Sequence, residues 1–315
     1  MFNVCRFEPC AYFCLQYKGF RQHCNFPIVL VGVTENRLEI CVAVCVGPIY
    51  VTKLLTLDLY SGFHASDNVV RLARVFGALS RCRVDLKNYY TSVRISTSQR
   101  LSCLFPNPTP IDPSKPLPKL TYRQFFSRAG QPIADHANLK NATTSLYIAT
   151  LHDSDQEVIV KFTARYNEGA HRLLAEAQLA PKLHFCGLVV GGLYMIVMDR
   201  VDGKSVWQLQ QDNALIPAMV PAQVEEAVRL LHNKDIVFGD LRSNNILYVA
   251  SEDHIALVDF DWPGKDGESK YPATLNLGDG KTWAEQVVPY GTMHKADDLW
   301  QLEQLKDLCT TKSNT

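Results

Sequence analysis

Three side chains in the second half of the chain have the chemistry to share one metal ion. Asp240 and Asn245 lie five residues apart in Ile236 to Leu247 (IVFGDLRSNNIL), and Asp259 follows fourteen residues later in Leu257 to Gly264 (LVDFDWPG). Two carboxylates and a carboxamide oxygen are hard donors. They suit Mg²⁺, with the phosphate oxygens of a substrate completing its shell. Each sits beside a short apolar run: Ile236-Val237-Phe238, Ile246-Leu247 and Ile255-Ala256-Leu257-Val258. Runs of this length read as buried strands. A polar loop between two such strands aims Asp240 and Asn245 at one point, and a third strand delivers Asp259 to it.

The rest of the composition narrows the class. At 315 residues with 47% hydrophobic side chains, the chain has enough apolar material for one large or two modest domains. Formal net charge is +0, so nothing asks for nucleic acid or an anionic membrane as partner. No apolar run approaches the ~20 residues of a spanning helix. The longest candidate, Leu38 to Val46, is interrupted by Glu39. The first residues, MFNVCRFEPCAYFCLQ, lack a basic start and an unbroken apolar segment, so no secretory signal is expected and an intracellular, cytoplasmic protein is. Eight of the ten cysteines precede residue 104 without a CxxC pair. That spacing favours free thiols in a reducing compartment over a zinc site.

Residues 1–104 read as a small α+β region. Strands are expected at Pro27 to Val33, Leu38 to Val46 and Ile49 to Leu57, joined by Thr34-Glu35-Asn36-Arg37 and by Gly47-Pro48. In the middle strand Leu38, Ile40, Val42, Val44 and Val46 share a face by period two, and Cys41, Ala43 and Cys45 on the other face allow the strand to be buried on both sides. A helix is expected after the N-cap Ser66, with Val69, Leu72, Ala73, Phe76 and Leu79 on its buried side and Arg71, Arg74 and Arg81 mostly opposite. No catalytic constellation appears there. Residues 105–120 follow with six prolines, a composition that excludes helix or central strand and reads as an extended linker. The spacing of Pro110, Pro113 and Pro116 also admits a proline-rich recognition segment.

From residue 121 onward strands and helices alternate in a definite order. Ser145 to Thr150 and Glu157 to Phe162 are two strands joined by a polar turn, the second carrying Lys161. Taken alone, a lysine there reads as an edge-strand side chain that snorkels to solvent. A helix spans about Asn167 to Leu179, with Glu168 and Glu176 as its acids. An apolar strand lies in Leu193 to Asp199, and a helix starts at Val206. The helix Pro221 to His232 presents Val224, Ala227, Val228 and Leu231 on one face and leads into the Asp240 loop. Asp297-Asp298-Leu299-Trp300 opens a last helix.

Asp240-Leu241-Arg242-Ser243-Asn244-Asn245 followed by Asp259-Phe260-Asp261 resembles the catalytic loop and metal motif of protein kinase-like phosphotransferases. Phe238-Gly239 stands where that family usually carries His-Arg, and Asp261 where it carries glycine. Both changes bring the chain nearer the choline kinase and aminoglycoside phosphotransferase branch, and the kinase-like proteins of mushroom-forming fungi. The resemblance implies an α+β, bilobal kinase-like fold over residues 121–315, with a β-rich N-lobe and a mainly helical, abbreviated C-lobe. The N-terminal α+β region resembles extensions found in some of the fungal proteins.

The resemblance also assigns roles. Asp240 would be the catalytic base and Arg242 would steady the transferring phosphoryl group. Asn245, Asp259 and Asp261 would hold Mg²⁺, and Lys161 the α- and β-phosphates of ATP, with Glu168 as its helix partner and Glu176 in reserve. Met198, near the end of Leu193 to Asp199, would line the adenine pocket. Asp298 or Asp297 would anchor the catalytic-loop backbone. Gly239, in place of arginine, implies no phosphorylated activation-loop switch. The implied activity is Mg-ATP-dependent transfer of a phosphoryl group to a protein or small-molecule hydroxyl. The alternative is a pseudokinase scaffold, favoured by the glycine-free stretch Asp135 to Thr144, the short spacing from Lys161 to its helix, and the abbreviated C-lobe.

Overall fold

The computed structural model describes residues 24–45, 49–59, 65–92, 105–127, 130–133, 145–273, 275, 277 and 283–311. These fall into two compact units, one ending at Asn107 and the other beginning at Pro108.

In the first unit β1 (Ile28–Thr34), β2 (Arg37–Cys45) and β3 (Ile49–Asp58) form an antiparallel meander, followed by helix α1 (Ala65–Ser92). Leu72, Val75 and Leu79 of α1 pack on Leu38, Ile40 and Leu57 of the sheet. The helix therefore starts before Ser66, and its buried stripe is rotated from the expected one, leaving Val69 64% and Phe76 54% exposed. In β2 burial passes from Leu38 and Ile40 to Cys41 and Ala43, so both faces contribute buried residues. The pairing with β3 shifts register at Ile40 and Cys41, which face Leu55 and Lys53 and leave Leu54 as the extra, bulged residue.

The second unit begins with part of the proline-rich stretch laid along a sheet edge. Ile111 N donates to Leu188 O (3.1 Å) and Val190 N donates to Thr109 O (2.8 Å). Prolines are tolerated there because an edge leaves ladder donors unused. The sheet contains β4 (Leu120–Phe126), β5 (Pro132–Ile133), β6 (Ser145–Leu151), β7 (Glu157–Thr163), β8 (Leu183–Val189) and β9 (Leu193–Asp199), in the order β5-β4-β6-β7-β9-β8 with every pairing antiparallel. Alternation along β7 decides the location of Lys161. Val158 and Val160 enter one apolar layer with Ala149, Met195 and Val197. Ile159 enters the other, with Ile148, Ile196 and Met198. Lys161 therefore emerges on the Ile159 face, two residues along.

Helix α2 (Glu168–Glu176) connects β7 to β8. After β9 the chain becomes mainly helical: β10 (Lys204–Ser205), α3 (Val206–Gln211), α4 (Met219–His232), β11 (Ile236–Val237), the hairpin β12 (Ile246–Val249) and β13 (His254–Leu257), β14 (Gly264–Lys265) and α5 (Lys295–Thr311). Ser205 starts α3 with a capping box: its hydroxyl accepts from Gln208 N and Gln208 Oε1 accepts from Ser205 N. Helix α4 starts two residues earlier than expected, with Pro221 in its first turn, where a missing N–H is harmless. Val220, Val224, Ala227, Val228 and Leu231 bury one face of α4 against Phe238, Leu241, Ile246, Ile255, Leu257 and Phe260. Each large side chain buried in this way contributes about 1.5–3 kcal/mol. That packing fixes the floor from which the polar residues of the site project. The class is α+β, with a β-rich lobe and a mainly helical lobe, as expected.

Candidate active site

The loop carrying Asp240 is suspended from α5. Asp298 is fully buried and accepts three hydrogen bonds: from Phe238 N at 2.7 Å, Gly239 N at 2.8 Å and His232 Nε2 at 2.9 Å. Gln301, one turn further on, accepts from Leu241 N at 2.9 Å. Buried backbone donors need such acceptors. Here α5 supplies them on both sides of Asp240. Asp297 instead accepts from Tyr271, Gln286 and its own helix start at His294 N, so of the two candidate anchors Asp298 is the one on the loop.

Gly239 has φ +75°, a left-handed conformation that costs a residue with a Cβ about 1–2 kcal/mol. A Cβ there would also lie 2.0 Å from Met293 Cε. Glycine is thus required on two counts, and the position that could hold an arginine is filled by Met293.

Asp240 is 3% exposed. Both its carboxylate oxygens accept from Arg242, through Nε and Nη2, and Asn245 Nδ2 donates to Asp240 Oδ2 and to its backbone carbonyl, each at 2.9 Å. Burial raises the Asp240 carboxyl above its ordinary value and the charge on Asp259 adds to this, while Arg242 and Asn245 oppose it. The Arg242 guanidinium lies 5.4 Å from the centroid of Trp283 and 6.0 Å from that of Trp262. The two indoles stack on each other at 5.6 Å and 20°. This aromatic backing keeps the guanidinium from swinging into solvent. The pattern of Asp240, Arg242 and Asn245 along the chain gives the loop, but Trp283 is 43 residues past Asp240 and carries no local signal of its role.

Asp259 also has a left-handed backbone, φ +70°. Lys161 Nζ donates to Asp259 Oδ1 and, at 2.7 Å, to Asp261 Oδ1, while Thr163 Oγ1 donates to Asp261 Oδ2 at 2.9 Å. Burial alone would lower the Lys161 ammonium. The two carboxylates outweigh it, and its value is raised. Asp261 is pushed up to about 6, first by burial and then by the charge of Asp259.

Glu168 is not the partner of Lys161. Its carboxylate accepts from Arg172 Nε (2.9 Å) and Nη2 (2.8 Å), an i,i+4 pair, and lies 3.9 Å from Lys115. The competing arginine was visible in the sequence, four residues on, where helical geometry favours it. Glu176 is exposed at the end of α2 and does not supply the partner either. Met198 is 8% exposed within the apolar layer shared with Ile148, Ile159, Leu183, Cys186 and Ile196. It therefore shares the face of the sheet on which Lys161 emerges. The stretch Asp135 to Thr144, expected to meet phosphates, lies outside the described residues.

Among the described residues no three His, Cys, Asp or Glu side chains gather as a self-sufficient metal group. The donors at this site are the carboxylates of Asp259 and Asp261 and the carboxamide oxygen of Asn245, whose Nδ2 is committed to Asp240. Such a set fits Mg²⁺, which usually takes one or two protein carboxylates and fills its shell with water and substrate phosphate rather than an all-protein cage.

No protein-family model matches the chain. It is 30% identical over 159 residues to the serine/threonine-protein kinase RUNKEL of Arabidopsis thaliana, covering 49% of this chain and 10% of that protein. Over 110 residues it is 28% identical to the serine/threonine-protein kinase SMU1 of Mycosarcoma maydis, covering 34% of this chain and 15% of that one. The chain thus matches only a small part of these curated relatives' own length. A solved structure of the Cydia pomonella granulovirus kinase PK-1 aligns over 54% of this chain and 65% of its own, with a TM-score of 0.44 and 17% identity. These sequence matches make part of the chain similar to protein kinases, in keeping with the order of Lys161, Asp240, Asn245 and Asp259 along it.

Proposed function

We propose that the chain is an Mg-ATP-dependent phosphotransferase that moves the γ-phosphoryl group of ATP to the hydroxyl of a protein or small molecule. The observation that carries this reading is the convergence of Lys161, Asp259 and Asp261, some 98 to 100 residues apart in sequence, in one ion-pair cluster. A half-buried lysine held by two carboxylates adds little to stability compared with apolar packing, so its upkeep points to a role in binding charge.

In this reading Asp240 orients the acceptor hydroxyl and takes its proton. Its carboxylate is held in one orientation by Arg242 and Asn245, so the acceptor meets a preorganised group. Arg242, held on that carboxylate, would set its charge against the negative charge developing on the transferring group. Mg²⁺, when bound, supplies the charge that neutralises the phosphate oxygens. Lys161 then exchanges the aspartate oxygens for those of ATP. An intracellular location accords with the use of ATP.

The clasp of Lys161 on both aspartates also favours a second reading, a nucleotide-responsive scaffold without transfer. Phosphate release from Mg-ATP, with and without hydroxyl acceptors, separates the two. The enzyme reading expects slow turnover that falls at least about 100-fold in Asp240→Asn, the usual scale of a lost general base. Saturable Mg-ATP binding with no turnover, or turnover untouched in Asp240→Asn, would overturn it.

A further inference from the structure

The tie between α2 and the loop bearing Asp259 and Asp261 runs through Asn167, the residue before Glu168. Its backbone N–H donates to Phe260 O at 2.9 Å, and its side-chain Nδ2 donates to Pro263 O at 3.0 Å. Its Oδ1 accepts from Ala170 N at 2.9 Å and so caps α2. Phe260 and Pro263 stand on either side of Asp261 and Trp262. One asparagine therefore grips the loop on both sides of Asp261 while anchoring itself in the first turn of a helix.

A second contact reinforces the grip. The His171 ring, one turn into α2, stacks on the Phe260 ring at 4.4 Å and 7°. Pro181 O is 2.7 Å from His171 Nε2 and can only accept, so Nε2 carries the proton. Nδ1 then accepts from the Tyr166 hydroxyl at 2.5 Å. Both ring nitrogens are engaged, the imidazole is locked in plane, and Phe260 lies fully buried beneath it.

We propose that Asn167 is a positioning residue. By bridging Phe260 O and Pro263 O it keeps the carboxylates of Asp259 and Asp261 turned toward Lys161 and the metal position. It does this without any ion pair between Lys161 and α2. The consequence for metal binding rests on the phosphotransferase reading above, whereas the clamp itself does not.

Asn167→Ser separates clamp from cap. Serine caps a helix about as well as asparagine but is too short to reach Pro263 O. Asn167→Asp keeps the capping oxygen and sets a second oxygen against the Pro263 carbonyl. Amide hydrogen exchange on the ligand-free full chain reads the clamp directly. Exchange in a peptide covering residues 258–265 should quicken about 3- to 10-fold in the serine variant, the scale of one lost hydrogen bond, and more in the aspartate variant. Exchange in α4 should not change. Unaltered exchange in 258–265, or an equal rise in α4, overturns the clamp. Calorimetric binding of ADP with and without Mg²⁺ reads the positioning. The serine variant should weaken Mg-ADP about 3- to 10-fold and leave metal-free ADP unchanged. Equal weakening in both overturns the positioning role. Faster exchange in a chain whose wild type shows no Mg-dependent ADP binding upholds the clamp and overturns the phosphotransferase reading.

Discussion

Asp298→Asn is expected to destabilise the chain and to release Asp240 from its position. Asp298 Oδ1 accepts from Gly239 N, and Oδ2 from Phe238 N and His232 Nε2. An asparagine has one acceptor oxygen, which best replaces Oδ2 with its two donors. Its NH₂ group then faces Gly239 N, donor against donor. The loss is one hydrogen bond to a charged acceptor and one buried backbone donor left unmet, together about 2–3 kcal/mol. Asp298→Ala leaves both backbone donors and His232 unmet and should cost about 4 kcal/mol. Urea unfolding followed by tryptophan fluorescence reads both values, with exposed Glu176→Gln as the control near zero. Because Gly239 adjoins Asp240, phosphoryl transfer should fall more steeply than stability. A cost below about 0.5 kcal/mol for the asparagine variant would refute the suspension of the loop from α5, since surface changes alone reach that level.

Gly239→Ala should cost about 2–4 kcal/mol, combining left-handed strain with the clash at Met293. Met293→Ala in the same chain should recover the packing part only, as a double-mutant cycle in urea would show. His171 is buried and its value is lowered to about 4, chiefly by burial, from 6.5. The unfolded chain thus takes up this proton first, so stability is full above about pH 6.5 and is lost as pH falls toward 4. The drop between roughly pH 7.5 and pH 5 should be about 2 kcal/mol from this group. His171→Leu should remove that part of the slope, and an unchanged slope in urea unfolding at the two pH values would contradict the assignment. Lys161→Met leaves Asp259 and Asp261 facing each other, partly screened by solvent, and should cost about 1–2 kcal/mol near neutral pH. Mg²⁺ alone should then raise its melting temperature more than it raises that of the wild type, a comparison that thermal unfolding decides.

Periodicity made much of this scaffold readable. The strand Leu193–Asp199, the buried stripe of α4 and the two hairpin strands of the loop all follow from runs of apolar residues at period 2 or 3.6. The meeting of Asp240 and Asn245 was readable because a short polar loop beside buried strands leaves its side chains few directions. Contacts set by tertiary packing were not readable. Lys161 meets Asp259 and Asp261 across some 98 to 100 residues, and spacing alone offered only the neighbouring helix acids. Arg172 could have flagged Glu168 as already paired. Asn167 was legible only as the start of a helix, and nothing local signals that its side-chain amide also reaches Pro263 O. The rotated stripe of α1 escaped because exposed Val69 and Phe76 satisfy helical spacing as well as the packed Leu72, Val75 and Leu79 do.

Calorimetric titration of ATP into the full chain, with and without Mg²⁺, tests the central claim most directly. The account predicts saturable binding that depends on Mg²⁺ and disappears in Asp259→Asn, because the proposed function gives that carboxylate, now on Lys161, to the metal. Binding of equal strength without Mg²⁺, binding that survives Asp259→Asn unchanged, or no binding at all would contradict it.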